Sequence, residues 1–170
     1  RRSSDLGNWD NAVTAFSNAG RYSDAPIRAR EASDEKKYQQ AVSMRENGQY
    51  EEAIEAFSAL GNYSDATEQI SETWYQKAMV LRQNGQYEDA NTIFWSLENY
   101  NDAKTQVKET KYQQADDLTN SGEYDEAYAI YATIIDYKDV DNILTNNKNL
   151  AEVAAAVALD EKFEVGTYVT

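Results

Sequence analysis

The sequence predicts an all-α fold in which pairs of helices repeat and stack as an α-solenoid. A 37-residue motif recurs three times, opening at Tyr38, Tyr75 and Tyr112. Apolar residues within each copy recur every three or four positions, which is the spacing of one helix face. No window inside the copies alternates apolar and polar residues as a half-buried strand would. A repeat of this length is typical of solenoids, in which each unit buries its apolar face against its neighbours.

Each full copy is predicted to contain a long helix followed by a short one. In the copy that begins the second long helix, Ser64 is the predicted N-cap. Gly85 is the predicted left-handed stop about 20 residues later. The short helix of the preceding copy should begin near Tyr50, with carboxylates in its first turn where the helix dipole favours them, and end at Gly61.

An earlier partial copy precedes the three full ones and is offset by 41 residues instead of 37. Its four extra residues lie between Asp24 and Tyr38 and correspond to about one helical turn. The first long helix should therefore be one turn longer than the others. Pro26, the only proline, should lie in its first turn, where the missing N–H costs little.

The predicted organisation follows this repeat frame. Residues 1–37 form a truncated first repeat, 38–74, 75–111 and 112–148 form full repeats, and 149–162 form a capping helix. Residues 163–170 are predicted to be an extended tail and a candidate start of a following domain.

Amino-acid composition alone would suggest disorder, because Leu, Ile, Val and Phe make up only 17% of 170 residues and the net charge is −14. The chain also has 23 Ala and 13 Tyr, and ten of the tyrosines occupy three repeat positions. Small Ala residues let helices approach closely, while each buried aromatic ring removes about 150–250 Å² from water. We therefore expect a folded core of Ala and aromatic rings, with partners for the tyrosine hydroxyls. The predicted interior positions are Ala53, Phe57, Leu60, Ile70, Ala78, Leu81, Ala90, Phe94, Leu97, Ala115, Leu118, Ala127, Tyr131 and Ile134.

The residue types that are missing exclude several kinds of site. The chain has no Cys and no His, so it has no disulfide, no Cys-ligated zinc and no His base. Its acidity argues against nucleic acid as a partner, and no apolar stretch is long enough to insert into a membrane. The recurring acidic pairs fit the first turns of short helices. We predict no catalytic residues, no metal site and no cofactor.

The segment from Gly48 through Gln49, Tyr50 and Ala53 to Phe57 resembles the tetratricopeptide repeat, which uses Gly-x-Tyr-x-x-Ala-x-x-x-Phe between its two helices. The resemblance covers residues 1–148, although the period is 37 instead of 34. It implies a right-handed α-solenoid and a non-enzymatic protein–protein interaction module. The chain also resembles repeat segments of bacterial multidomain proteins, which lie between an N-terminal anchor and a β-rich C-terminal domain. That resemblance implies a larger, extracytoplasmic protein.

Residues that differ between copies at equivalent positions are the best candidates for partner recognition. By analogy with tetratricopeptide grooves, two such rows lie on the long helices beside the tyrosines that open each copy. The candidate partner-binding residues are Tyr38, Val42, Arg45, Tyr75, Met79, Arg82, Tyr112, Asp116 and Thr119.

Three functions remain open at this point. The first is binding of a protein or peptide, and the negative charge favours a basic one. The second is a semi-rigid spacer between an anchor and an effector domain. The third is a glycan-binding module that uses exposed Tyr or Trp side chains; Trp95 stands where the other copies have Ser58 and Ala132.

Overall fold

The computed structural model describes residues 3–20, 22 and 24–146, which form two compact units divided after Ala103. The regular elements of this part of the chain are all α-helices, which confirms the predicted fold class. None of these helices is long and apolar enough to cross a membrane. The predicted capping helix at 149–162 and the tail at 163–170 lie outside the described residues.

The first unit contains alternating short and long helices that pack in chain order, each against the next. One cluster of its core lies between the long helix α2 and the short helix α3, where Phe57 and three alanines are fully buried. The helices are α1 (Ser3–Asn18), α2 (Ala25–Glu46), α3 (Tyr50–Leu60), α4 (Ala66–Gln83) and α5 (Tyr87–Ser96).

The second unit repeats the same pattern. It contains α6 (Ala103–Ser121), α7 (Tyr124–Ala132) and a further helical segment at residues 140–146. Its core cluster joins Ala115 of α6, Ala127 and Tyr131 of α7, and Ile134 and Val140 from the segment that follows.

The helix boundaries follow the predicted repeat. The long helices α4 and α6 begin at Ala66 and Ala103, and the next helical segment begins at residue 140. The first long helix, α2, has 22 residues where α4 has 18. The four extra residues therefore form one additional turn, as predicted, and Pro26 lies in the first turn of that helix.

The predicted interior positions are all buried or half-buried. The sequence analysis missed two polar residues, Thr73 and Thr110, which are completely buried. Each hydroxyl donates to the carbonyl four residues earlier, Thr73 to Gln69 at 2.6 Å and Thr110 to Gln106 at 2.7 Å. These bonds remove most of the free-energy cost of burying a hydroxyl.

The prediction of Ser64 as an N-cap was wrong. Ser64 has a left-handed backbone with φ of 51°, and Asp65 is the N-cap of α4. The equivalent residues Asn101 and Lys138 are also left-handed, with φ of 46° and 50°. The chain uses this residue to turn from the short helix into the next long one. A left-handed backbone costs a residue other than Gly about 1–2 kcal/mol, so surrounding contacts must hold the loop.

Gly85 ends α4 as predicted. Its φ is 76°, its N–H bonds the carbonyl of Arg82 at 3.0 Å, and the N–H of Gln86 bonds the carbonyl of Leu81 at 2.9 Å. This pair of bonds is the Schellman pattern, which satisfies the last carbonyls of a helix.

Replacing Gly85 with Ala should lower the free energy of unfolding by about 1–2 kcal/mol, because Ala resists the left-handed backbone. No atom lies within 4 Å of the position that its Cβ would occupy, so the penalty comes from the backbone alone. The measurement is urea unfolding followed by far-UV circular dichroism. Gly20→Ala is the matched control: Gly20 lacks a positive φ and a Cβ there would lie 3.4 Å from the Ser17 carbonyl oxygen. Equal losses in the two variants would contradict this reading.

Candidate functional site

The tyrosine that opens each full repeat packs against the following short helix and hydrogen-bonds beyond it. The Tyr38 ring meets Phe57 edge-on at 5.5 Å between centroids and meets Tyr63 at 6.3 Å. Its hydroxyl donates to Asp65 Oδ1 at 2.6 Å. The same set occurs at Tyr75 with Phe94, Tyr100 and Asp102, and at Tyr112 with Tyr131, Tyr137 and Asp139.

A second tyrosine, in the loop after the short helix, bonds back to the preceding long helix. The Tyr63 hydroxyl donates to Glu35 Oε2 at 3.0 Å, and Gln39 Nε2 donates to Glu35 Oε1 at 2.8 Å. The equivalent bonds join Tyr100 and Gln76 to Glu72, and Tyr137 and Gln113 to Glu109.

We call Tyr38, Tyr63, Glu35 and Asp65, with their equivalents in the other repeats, the tyrosine lock. It fixes the loop on both sides of left-handed Ser64, since Tyr63 precedes that residue and Asp65 follows it. The signal for the lock was present in the sequence, because Glu35, Glu72 and Glu109 also recur every 37 residues. The sequence analysis did not use it.

The lock shifts the titration of its groups in opposite directions. Burial, reinforced by the hydrogen bond to a carboxylate, raises the pKa of Tyr38 and of Tyr63 to about 12. The Tyr38 hydroxyl, followed by the Gln69 amide, holds the pKa of Asp65 below its ordinary value of 3.8. Each shift favours the protonated hydroxyl and the ionised carboxylate that the hydrogen bond needs. The pKa of Tyr75, Tyr100 and Tyr112 is likewise raised to about 12.

The arginines of the predicted recognition row lie against the same rings. The Arg45 guanidinium is half-buried, lies 5.8 Å from the centroid of Phe57, and donates through Nη1 to Gln69 Oε1 at 2.5 Å. Arg82 has the equivalent place 5.8 Å from the ring of Phe94. It is only 7% exposed, which the sequence analysis did not anticipate.

The other predicted recognition residues differ in exposure. Val42 packs partly buried against the α2–α3 core cluster. Met79 is half-buried and its sulfur lies 3.2 Å from Arg82 Nη2. Thr119 donates its hydroxyl to the carbonyl of Ala115 at 2.8 Å, while Asp116 is exposed.

Two features outside these rows could meet a ligand or partner. Trp95 on α5 is 73% exposed, so it is one of the exposed aromatic side chains that the sequence analysis considered. The first unit also has a cavity of about 300 Å³ beside α1 and α2, lined by Trp9, Phe16, Ala32 and Arg28 among others. Within the described residues, no group of three acidic side chains could hold a metal ion.

Comparison with known proteins gives one finding. Residues 37–66 match the model of the tetratricopeptide repeat family. The matched segment covers the last part of α2, all of α3 and the loop that contains Tyr63 and Asp65. Neither the curated proteins nor the solved structures contain a match to this chain. The family match and the consecutive helix pairs together make this a tetratricopeptide-like repeat region.

Raising the pH from 8 to about 12 should destabilise the fold through the locked tyrosines. Their pKa values rise from 10.0 to about 12 on folding. The stability they contribute is complete below pH 10 and is lost as the pH climbs to about 12. Urea unfolding across this range, with tyrosinate absorbance recorded in parallel, measures the effect. Because lysines also titrate there, the control is a Tyr38→Phe, Tyr75→Phe double variant. Its stability should depend less steeply on pH; an unchanged slope would show that the locks are not responsible.

Proposed function

We propose that this chain is a non-enzymatic protein–protein interaction module whose long helices contact a protein or peptide partner. Tetratricopeptide repeats generally mediate protein–protein interaction, and residues 37–66 match that family. The observation that carries the proposal is the contrast between constant and variable positions. The locks repeat almost unchanged, whereas Val42, Met79 and Asp116 differ at one equivalent position of the long helices.

The charge of the chain supports a basic partner. Residues 38–74 and 112–148 each carry a net charge of −6. The two arginines of the predicted rows lie over aromatic rings and are half-buried or buried, whereas Asp116 is exposed. An exposed acidic surface attracts a cationic peptide over about a Debye length, and salt weakens this attraction.

The proposal predicts that partner contacts are confined to the long helices. A photo-crosslinking amino acid at Val42 or at Asp116 should capture the same protein, identified by mass spectrometry. Ser58 is the matched control position because it is exposed on the short helix α3. Asp116→Lys should weaken the capture, and added salt should weaken it in the unsubstituted protein. Equal capture from Ser58, or no single protein shared by the two long-helix positions, would contradict the proposal.

A spacer function is the second candidate, because identical locks in successive repeats are suited to holding a fixed length. Deleting residues 75–111 removes one whole period and keeps the repeat frame. A spacer should keep its function after this deletion. A recognition surface should not, since Met79 and its neighbours on α4 would be lost.

A further inference from the structure

One face of the first unit lacks the helix that covers its equivalent in the next repeat. Adding 41 to residue numbers maps Phe16 to Phe57, Tyr22 to Tyr63 and Asp24 to Asp65. The structure supports this alignment, because Lys36 pairs with Asp10 at 2.5 Å and their counterparts Lys77 and Glu51 also pair.

Phe57 and Tyr63 are covered by α2, whereas their counterparts are more open. Tyr38 of α2 lies edge-on to both rings, and Glu35 accepts the Tyr63 hydroxyl. In the first unit, Phe16 lines the 300 Å³ cavity and Tyr22 is 72% exposed. Beside them, Ile27 is 61% exposed, although its counterpart in α4 is Glu68.

The acidic anchor of the lock is also in place. In the second repeat, Gln69 donates to Asp65 Oδ2 at 2.9 Å, which leaves Oδ1 to accept the Tyr38 hydroxyl. In the first unit, Arg28 Nε donates to Asp24 Oδ2 at 2.7 Å in the same i to i+4 arrangement. The Asp24 carboxylate is therefore oriented as its counterpart is, with the other oxygen available by the same geometry.

We propose that this face, formed by Phe16, Tyr22, Asp24 and Arg28, docks an α-helix with a tyrosine at its centre. The tyrosine ring would pack on Phe16 and Tyr22 and its hydroxyl would donate to Asp24. A Glu three residues before that tyrosine would accept the Tyr22 hydroxyl, as Glu35 accepts that of Tyr63. An Ala three residues after it would allow the close approach that Ala41, fully buried, allows in α2.

Arg28 gives this site a charge preference of its own. Arg45, seven residues after Tyr38, donates to Gln69 Oε1. Arg28 replaces Gln69 in the first unit and has no acceptor to offer. A basic residue at the seventh position of the docking helix would meet a like charge, whereas an acidic one would form a charge-assisted hydrogen bond. The partner is therefore a helix of the pattern Glu-x-x-Tyr-x-x-Ala-x-x-x-Glu. This docking face is separate from the long-helix surface proposed above.

The test uses fluorescein-labelled peptides copied from residues 66–86, which contain Glu72, Tyr75, Ala78 and Arg82 in the required spacing. A staple between positions 80 and 84, both exposed in the chain, keeps the peptide helical. Binding to the whole 170-residue protein is measured by fluorescence anisotropy. The Arg82→Glu peptide should bind about fivefold more tightly than the parent peptide. Tyr75→Ala in the peptide should weaken binding about tenfold or more.

Variants of the protein make the test specific. Asp24→Asn and Phe16→Ala should weaken binding, with circular dichroism verifying that each variant is folded. Arg28→Gln should abolish or reverse the preference for the Arg82→Glu peptide. Trp95→Ala, which removes an exposed aromatic residue elsewhere in the same unit, is the matched control and should change nothing.

Several results would overturn the proposal. These are no binding by either stapled peptide, binding that ignores Tyr75→Ala in the peptide, or a charge preference that survives Arg28→Gln. Sedimentation of the protein alone tests the other occupant. A dimer that Phe16→Ala dissociates would assign this face to a second copy of the chain and would also overturn the proposal.

Discussion

The hydrogen bond from a packed tyrosine to a distant carboxylate is the constraint on which the repeat depends. A tyrosine ring wedged between a short helix and a loop removes its hydroxyl from most of the solvent, so the hydroxyl needs an acceptor. Asp65 supplies it for Tyr38, and Glu35 supplies it for Tyr63. The two bonds run in opposite directions between a long helix and the loop after the next short helix. Together they hold a loop whose left-handed Ser64 would otherwise be an unfavourable choice.

The lock also explains which changes in length the repeat tolerates. Its two bonds join residues 27 and 28 positions apart, and these separations are the same in all three locks. The four extra residues of the first unit lie in α2 before Glu35, so neither separation changes. One added turn leaves the face toward α3 in place. It also lets Lys36 reach Asp10 of α1 as Lys77 reaches Glu51 of α3.

Much of the fold could be predicted because the signals are local or periodic. Gly85 and Gly61 end helices through their own backbone freedom, and an apolar face every three or four residues identifies the core. The error at Ser64 arose because a serine before a helix usually caps it, and only the geometry of the loop shows that this one turns the chain. Thr73 and Thr110 were missed because a bond to a carbonyl in the same helix lets a polar side chain enter the core.

The site was less accessible to sequence reasoning for a physical reason. Repetition shows that Tyr38 is constrained but not which carboxylate it meets, since Asp65 is distant in sequence and reached only after a helix and a loop. The same holds for Arg45, whose long side chain could extend into solvent or lie over Phe57. The docking face of the first unit became visible only by comparing Phe16 with its covered counterpart, Phe57.

A double-mutant cycle between Tyr38 and Asp65 tests the central claim most directly. The free energy of unfolding is measured in urea for the unsubstituted protein, Tyr38→Phe, Asp65→Asn and the double variant. If the lock holds the loop, the two substitutions should be coupled by about 0.5–1.5 kcal/mol, because either one alone already breaks the bond. Additive losses, with a coupling energy near zero, would contradict the account.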